Sequence, residues 1–510
     1  MPPLDSLRRA LITAGVIAAM IMQILNTAMT NVSLPYMQAE LGATPDQISW
    51  SLTGYLIAAA IFMPLTGFLS DRFGTRNYLL ASIAGFVLFS MACGVATNLP
   101  EFVVLRVLQG AAGAALMPLS QAVMVDIYSL EERPRALAIW SSSVMLAPIF
   151  GPTIGAWCTD YGSWRWTFFL SLPVGIAAAL VIAACMPERA RRERRMDWPG
   201  FLLLAVAIGG LQYTLDRGNR LDWMAASEIR ISALLALACA FGFILHGRRA
   251  KQRALFSLAL LADRNFGASC LVSMVQSLTF YALLVLQPIL MVTLLQYPIG
   301  TAGLVLGLRG VAGALTYVFV PRLMRMLAPA PIVACGFAVS GYGTHLLTGL
   351  TLDADPLALV APSLLQGLGL ALMSVPASTH AFNTLPIDRR AEATGLQSLL
   401  RSLASSVGIA VAMTLYTRLS QINWNQMSAN VDPVNPALAD YVQAFGADTA
   451  DPRALAIVAA EVGRQAAMVA MTDVFALLMF VFVGVLPLAW LLRGQPRIGP
   501  VATVRAAARA

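Results

Sequence analysis

Residues 67–80 read GFLSDRFGTRNYLL, a short charged turn pressed between two long apolar runs. Gly67 permits close helix packing, Asp71 and Arg72 finish the first run in water, Gly74 turns the chain, and Arg76 opens the next run. Two apolar helices joined by a wet, charged link form the unit of a helical membrane protein, because lipid offers no partner to an unpaired backbone amide. Outward from this hairpin the pattern repeats. Apolar runs long enough to cross a bilayer, about 20 residues each, fall near 11–33, 48–70, 77–97, 101–125, 135–157, 165–186, 199–215, 229–247, 266–291, 301–321, 329–350, 357–382, 393–417 and 468–492. Barrel strands would instead alternate polar and apolar residues over about ten positions. The expected fold class is an all-α integral membrane protein with 14 transmembrane spans.

Composition agrees. Hydrophobic residues make up 58% of the 510 and charged residues 12%, with a mean hydropathy of +0.72, against roughly 45–50% and about 25% in soluble domains. The net charge of +8 does not point to nucleic acid, because the basic residues are dispersed among short links and report topology first. Cys93, Cys158, Cys185, Cys239, Cys270 and Cys335 sit singly in or beside apolar runs, so neither a disulfide framework nor a metal site is expected. The first run follows Arg8 and Arg9 as a secretory leader would, but it lacks a small-x-small cleavage site and another span follows at once. It is read as a retained first span.

An even number of spans puts both termini on one side of the membrane. Links on that side carry 24 basic residues and the opposite links 7, so both termini are expected in the cytoplasm. Arg106, Arg309 and Arg401 remain, each inside a span. The chain also repeats itself. LQGAAGAALM from Leu108 returns as LQGLGLALM from Leu365, and the same offset of about 257 relates Glu131-Glu132-Arg133 to Asp388-Arg389-Arg390 and Gly151 to Gly408. Two homologous halves of about six spans follow, with two extra spans near 199–247 between them. The expected divisions are an amino-terminal six-helix bundle over 1–190, two extra spans with basic linkers over 191–255, and a carboxy-terminal six-helix bundle over 256–510. The last includes an external loop at 418–467, in which 453–466 reads as a short helix at the membrane face. That loop is either a spacer or a docking surface for an extracytoplasmic partner. Internal duplication around a central site is a recurring transporter plan.

Four motifs, in order, resemble the major facilitator superfamily. GFLSDRFGTR fits its cytoplasmic signature GxLxDRxGxR, and RVLQGAAGAA (Arg106–Ala115) its fourth-span motif. APIFGPTIGA, with Pro148, Gly151, Pro152 and Gly155, resembles its fifth-span antiporter motif, Ala156 replacing the usual final glycine. WRWTFFLSLPVG and LDRGNRLDW (Leu215–Trp223) look like the fourteen-span drug:proton antiporters of the EmrB/QacA group. The long last external loop is most similar to EmrB-type permease subunits of tripartite pumps. This resemblance implies a major facilitator fold whose two bundles rock about a midplane cavity, exporting a small-molecule substrate as protons enter. It implies a proton gradient as energy source with no cofactor, a bacterial inner membrane, and a periplasmic membrane-fusion adaptor and outer-membrane channel as partners. Asp71 would latch the cytoplasmic face across the bundle interface, on a link built from Gly67, Arg72 and Gly74, with Arg76 and Asp126 as the associated charge relay.

Proton coupling needs an acid in the cavity whose pKa lies within reach of cellular pH. The family's first-span motif commonly reads LDxTxxNVxLP, whereas Leu25–Pro35 reads LNTAMTNVSLP, with Asn26 where the acid would stand. An amide cannot titrate. Asn26, Thr27, Thr30 and Asn31 are expected to form one wall of the central cavity, where they meet water, substrate or neighbouring helices. Remaining coupling candidates are Arg106 and Gln109 of the fourth-span motif, and Asp473 near the external start of span 14. Asp473 is either a proton site or a helix-start residue beside Thr472. Arg309 lies well inside its span, and an unpaired arginine there costs about 2.5–3.5 kcal/mol on insertion scales. It is expected either to face a polar cavity and meet an anion, or to pair within the protein. With the first-span acid missing, the cavity leans positive and the expected substrate is an organic anion or weak aromatic acid rather than a lipophilic cation. His246, His345 and His380 read as interfacial side chains. No nucleophile–base pair, metal spacing or phosphate loop suggests an enzyme. The expected function is proton-driven efflux of amphipathic drugs or toxic organic compounds; the alternatives are a dedicated exporter of one endogenous metabolite, or a non-transporting sensor.

Overall fold

The structure, a computed structural model, describes residues 5–188, 196–250, 258–386, 389–429, 431, 436–443 and 452–492. No strand occurs among them, and fourteen long helices account for the predicted spans. They are α1 Ser6–Glu40, α2 Gln47–Phe73, α3 Thr75–Val95, α4 Leu99–Ile127, α5 Arg133–Tyr161, α6 Trp166–Cys185, α7 Trp198–Arg217, α8 Ser227–Arg249, α9 Arg264–Leu294, α10 Gly300–Met326, α11 Pro329–Thr348, α12 Pro356–Ala381, α13 Arg390–Ser428 and α14 Ala456–Leu491. Local chemistry sets their ends. Thr44 Oγ1 accepts from the Gln47 amide at 3.3 Å while Gln47 Oε1 accepts from the Thr44 amide at 3.0 Å, a capping box that starts α2. Gly74, at φ +84° between α2 and α3, holds a conformation that costs a side chain little only when there is none.

Helices α1–α6 form one bundle, in which α1 packs on α5 and α6, and α4 on α2 and α3. Helices α9–α14 form the other, in which α12 packs on α10 and α11, and α13 on α9 and α14. The bundles meet where α5 lies against α10 and α12, and where α13 lies against α2 and α4. The two extra spans are central in sequence and peripheral in space. α7 packs on α2 and α13, and α8 packs mainly on α7. The apolar stretch of α8 is only 17% buried, against 61% for α2, which leaves Leu234, Leu235, Leu237 and Phe241 facing lipid. The division points predicted near 190 and 255 lie outside the described residues, as does Asp388 of the repeated charged cluster.

One expectation is corrected. The segment 453–466 is not a separate short helix, because Pro452–Val485 is one continuous helix. After Pro452 the sequence RALAIVAAEVGRQAAMVAM carries no further proline and a single glycine, Gly463, among seven alanines, and alanine-rich stretches hold helix outside lipid as well as within it. On the other side of the loop, α13 continues through 418–428, and the Asn423 amide donates to the Ala466 carbonyl at 3.4 Å. At about 1.5 Å per residue, helices of 39 and 36 residues overrun a bilayer core of about 30 Å. They leave it as a pair.

Candidate functional site

In α1 the polar stretch splits between two faces. Asn26 and Thr30, 2% and 0% exposed, form one i,i+4 pair directed into the amino-terminal bundle. Thr27 is half-buried and Asn31 exposed on a different face, so the four do not share one wall. Each threonine hydroxyl donates to a carbonyl of its own helix, Thr27 to Gln23 at 3.0 Å and Thr30 to Asn26 at 2.7 Å. Asn26 is the hub. Its nitrogen donates to Ser90 Oγ at 3.4 Å and the Thr167 carbonyl at 3.3 Å, and its oxygen accepts from Gln109 Nε2 at 3.2 Å and Arg106 Nη1 at 3.4 Å. Arg106, fully buried, also donates to Gln109 Oε1 at 2.6 Å and lies 4.3 Å from the Tyr55 ring centroid. Its acceptors are neutral amides, and its Nε and Nη2 have no partner among the described residues.

The carboxy-terminal half holds Arg309, 3% exposed, with Nε, Nη1 and Nη2 all unpartnered among the described residues. Its guanidinium carbon lies 5.9 Å from the centroid of the Phe280 ring. The internal repeat explains its place. A Cβ on Gly110 would run into the Tyr55 carbonyl, and a Cβ on Gly367, at the same point of the second copy, would run into the Arg309 carbonyl. Tyr55 and Arg309 are therefore structural equivalents, while the repeat sets Ser363 opposite Arg106. The guanidinium has changed helices between the halves, from α4 to α10.

At the end that carries the termini, a Cβ on Gly67 would lie 2.7 Å from Glu392 Cα, so α2 and α13 touch backbone to backbone. Beside this contact Asp126 pairs with Arg390 across the two bundles at 3.4 Å, the side chains 6% and 11% exposed. Arg133 Nε donates to the neighbouring Val125 carbonyl at 3.0 Å. Asp126 thus makes a cross-bundle ion pair close to Asp71, which is half-buried at the end of α2 and itself engaged. Arg76 donates to the Ala183 carbonyl and so ties α3 to α6, and exposed Arg72 lies 5.9 Å from the Phe73 ring. Arg9 binds Glu132 through two hydrogen bonds, of 2.7 and 3.2 Å. Desolvation pushes the Glu132 carboxyl up, but the Arg9 bond and charge, with Ser129, outweigh it and hold the group below its ordinary value. This tie stands above the usual carboxylate range and loosens as pH falls through the depressed pKa.

Gly67→Ala should wedge this interface, since the new Cβ meets backbone that cannot swing aside. Overpacking typically costs about 1–3 kcal/mol, so the population with α2 and α13 in contact should fall roughly 5- to 150-fold. Disulfide trapping between cysteines introduced on the two helices reads the effect; trapping at the parental rate would contradict it.

The Major Facilitator Superfamily model matches residues 16–409. The chain belongs to that superfamily. Within it the chain is EmrB-like: it is 30% identical over 493 residues to the fatty acid resistance protein FarB of Neisseria gonorrhoeae, covering 96% of this chain and 97% of FarB. It is 31% identical over 494 residues to the multidrug export protein EmrB of Escherichia coli K12, covering 96% of each. The crystal structure of the human organic anion transporter MFSD10 shares the fold, with a TM-score of 0.60 at 17% identity over 94% of this chain and all of that one. The protein is therefore a multi-pass inner-membrane transport protein of the major facilitator fold and not an enzyme.

Other positions of the superfamily motifs fall as follows. α5 runs unbroken through Pro148 and Pro152. A Cβ on Gly151 would strike Ala28 and one on Gly155 would lie 2.9 Å from Met29 Cα, so this motif seals α5 to α1 within one bundle. Asp473 is not a helix-start residue, because it lies deep inside α14, exposed on its outer face. The LDRGNRLDW motif fastens the extra spans: Asp216 accepts from Thr53, Arg217 lies 4.4 Å from the Trp50 ring, Arg220 donates to Ser49 at 3.1 Å, and Trp223 donates to Thr414 at 3.0 Å. Tyr55, Arg390 and Arg401 escaped the sequence reading as site residues. Arg401 of α13 donates to Met117 Sδ at 3.2 Å and lies 5.8 Å from the Trp140 ring, reaching across to the other bundle. Its presence among only three in-span arginines was the signal.

Proposed function

We propose that this protein exports amphipathic organic compounds by alternating access under the proton-motive force, with organic anions and weak acids favoured. The observation that carries the preference is Arg309, buried beside Phe280 with every guanidinium nitrogen unpartnered among the described residues. Such a group is tolerated in lipid when something anionic meets it during the cycle. The fatty acid resistance named for FarB and the multidrug export named for EmrB support an exporter of amphiphiles. The excess of arginine in the links on the amino-terminal side supports cytoplasmic termini. The paired extensions of α13 and α14 beyond the bilayer offer a surface for a periplasmic adaptor, which would join the pump to an outer-membrane channel.

Arg309→Gln tests the preference in cells. A hydrogen bond to a charged group contributes about 1.5–3 kcal/mol, so export of decanoate should fall roughly 10- to 150-fold while a lipophilic quaternary ammonium keeps its parental rate. Arg309→Lys should restore part of the decanoate export. Equal losses for acid and cation would sink the charge preference.

A further inference from the structure

Each half of the molecule buries one guanidinium that no carboxylate answers among the described residues. Arg106 meets the amide oxygens of Asn26 and Gln109, with Cys93 and Tyr55 as its nearest titratable neighbours. Arg309 meets the Phe280 ring. Arg401, at the seam between bundles, meets Met117 and Trp140, with Tyr281 and Tyr317 nearby. Among the described side chains no carboxylate stands inside either bundle away from the helix ends. Asp71, Asp126 and Glu392 lie at the ends nearest the termini, Glu40 and Glu101 at the opposite ends, and Asp216 at the end of α7. Asp473 points outward from α14, and His380 lies at the last turn of α12.

We propose that the protein moves its substrate as a net negative charge, so that the membrane potential alone drives export with no titrating group in the cavity. The proposal rests on the anion preference above and names which part of the proton-motive force is used. Proton exchange requires a group that gains a proton on one side and loses it on the other. Arginine does neither at any cellular pH. An occupant of this interior therefore meets fixed positive charge throughout the cycle, and that charge offsets the desolvation of an anion in a low-dielectric site. The empty carrier returns unchanged, so each cycle transfers the charge of the substrate. With the cell interior negative, a monoanion is driven outward about 50-fold for each 100 mV.

The test uses the full chain in proteoliposomes with a labelled alkylsulfonate, which stays ionised and does not leak across lipid as a neutral acid. Exchange of labelled for unlabelled alkylsulfonate without any gradient requires only that the anion is a substrate. A potassium diffusion potential set with valinomycin at equal pH should then accumulate the label, toward about 50-fold per 100 mV, and reversing its sign should abolish accumulation. A pH gradient with the potential clamped at zero should accumulate none. The exchange rate should be flat with pH in the parent and become pH-dependent in Asn26→Asp, which sets a carboxylate against Arg106. Accumulation driven by the pH gradient at zero potential, or a parental rate that already titrates, overturns the inference and leaves the anion preference standing. Absence of gradient-free exchange overturns both.

Discussion

Arg309→Met should give a protein that survives heating better and no longer exports anions. Arg309 holds a full charge in the membrane interior, 3% exposed and without a hydrogen-bond partner among the described residues. Insertion scales put such a residue at about 2.5–3.5 kcal/mol. Methionine fills a similar volume with an apolar, adaptable chain, and replacing buried charge by packed apolar groups is commonly neutral or stabilising by about 1–4 kcal/mol. The expected gain is roughly 2 kcal/mol, the lower part of that range. Unfolding of membrane proteins is often irreversible, so the proper reading is the inactivation half-life at fixed temperature, followed by tryptophan fluorescence from the nine tryptophans. A shorter half-life would show that Arg309 is held by contacts that stabilise it, and its assignment as a substrate-facing charge would fail.

Asp126→Asn should open the terminus-bearing end. The carboxylate lies between Arg390, 3.4 Å away on the other bundle, and Arg133, which also feels its charge. Removing one partner of a buried pair costs about 3–5 kcal/mol, because the remaining charges stay desolvated, and here two arginines are left facing each other. The contact state of α4 and α13 should therefore lose roughly two to four orders of magnitude in relative population. Spin labels at Ser129 and Arg389, both exposed, report the separation of those ends. The short distance should dominate in the parent and become minor in the variant. Arg390→Gln should act in the same direction, and the double variant should do less than the sum, since both remove one interaction. An unchanged distance distribution would mean that the pair follows closure rather than holding it.

The fourteen spans were legible because lipid admits one solution for a long apolar run, and the helices coincide with the runs. Water admits more, which is why 418–467 was misread. The turn residues Pro433 and Pro436 and the aspartates around Pro452 suggested a loop holding one short helix, yet α13 and α14 both continue outward past the apolar runs, α14 through an alanine-rich stretch and α13 through the polar RLSQINWNQMS. The split of Asn26 and Thr30 from Thr27 and Asn31 follows from helical spacing, but only packing shows that the first pair faces the bundle interior. The cross-bundle latch was half legible. Asp126 stood in the expected charge relay, while its partner Arg390 was visible only as part of the repeated charged cluster, with nothing in the sequence to pair the two. The equivalence of Tyr55 and Arg309 could not be read from the motifs, because the repeat there is one of backbone contact at Gly110 and Gly367 and not of side-chain identity.

The central claim is that this transporter carries amphipathic anions past unneutralised arginines. Gradient-free exchange in proteoliposomes, run side by side with a labelled alkylsulfonate and a labelled alkyltrimethylammonium of equal chain length, tests it most directly. The account predicts rapid exchange of the sulfonate and little of the ammonium; exchange of the ammonium without the sulfonate would contradict it.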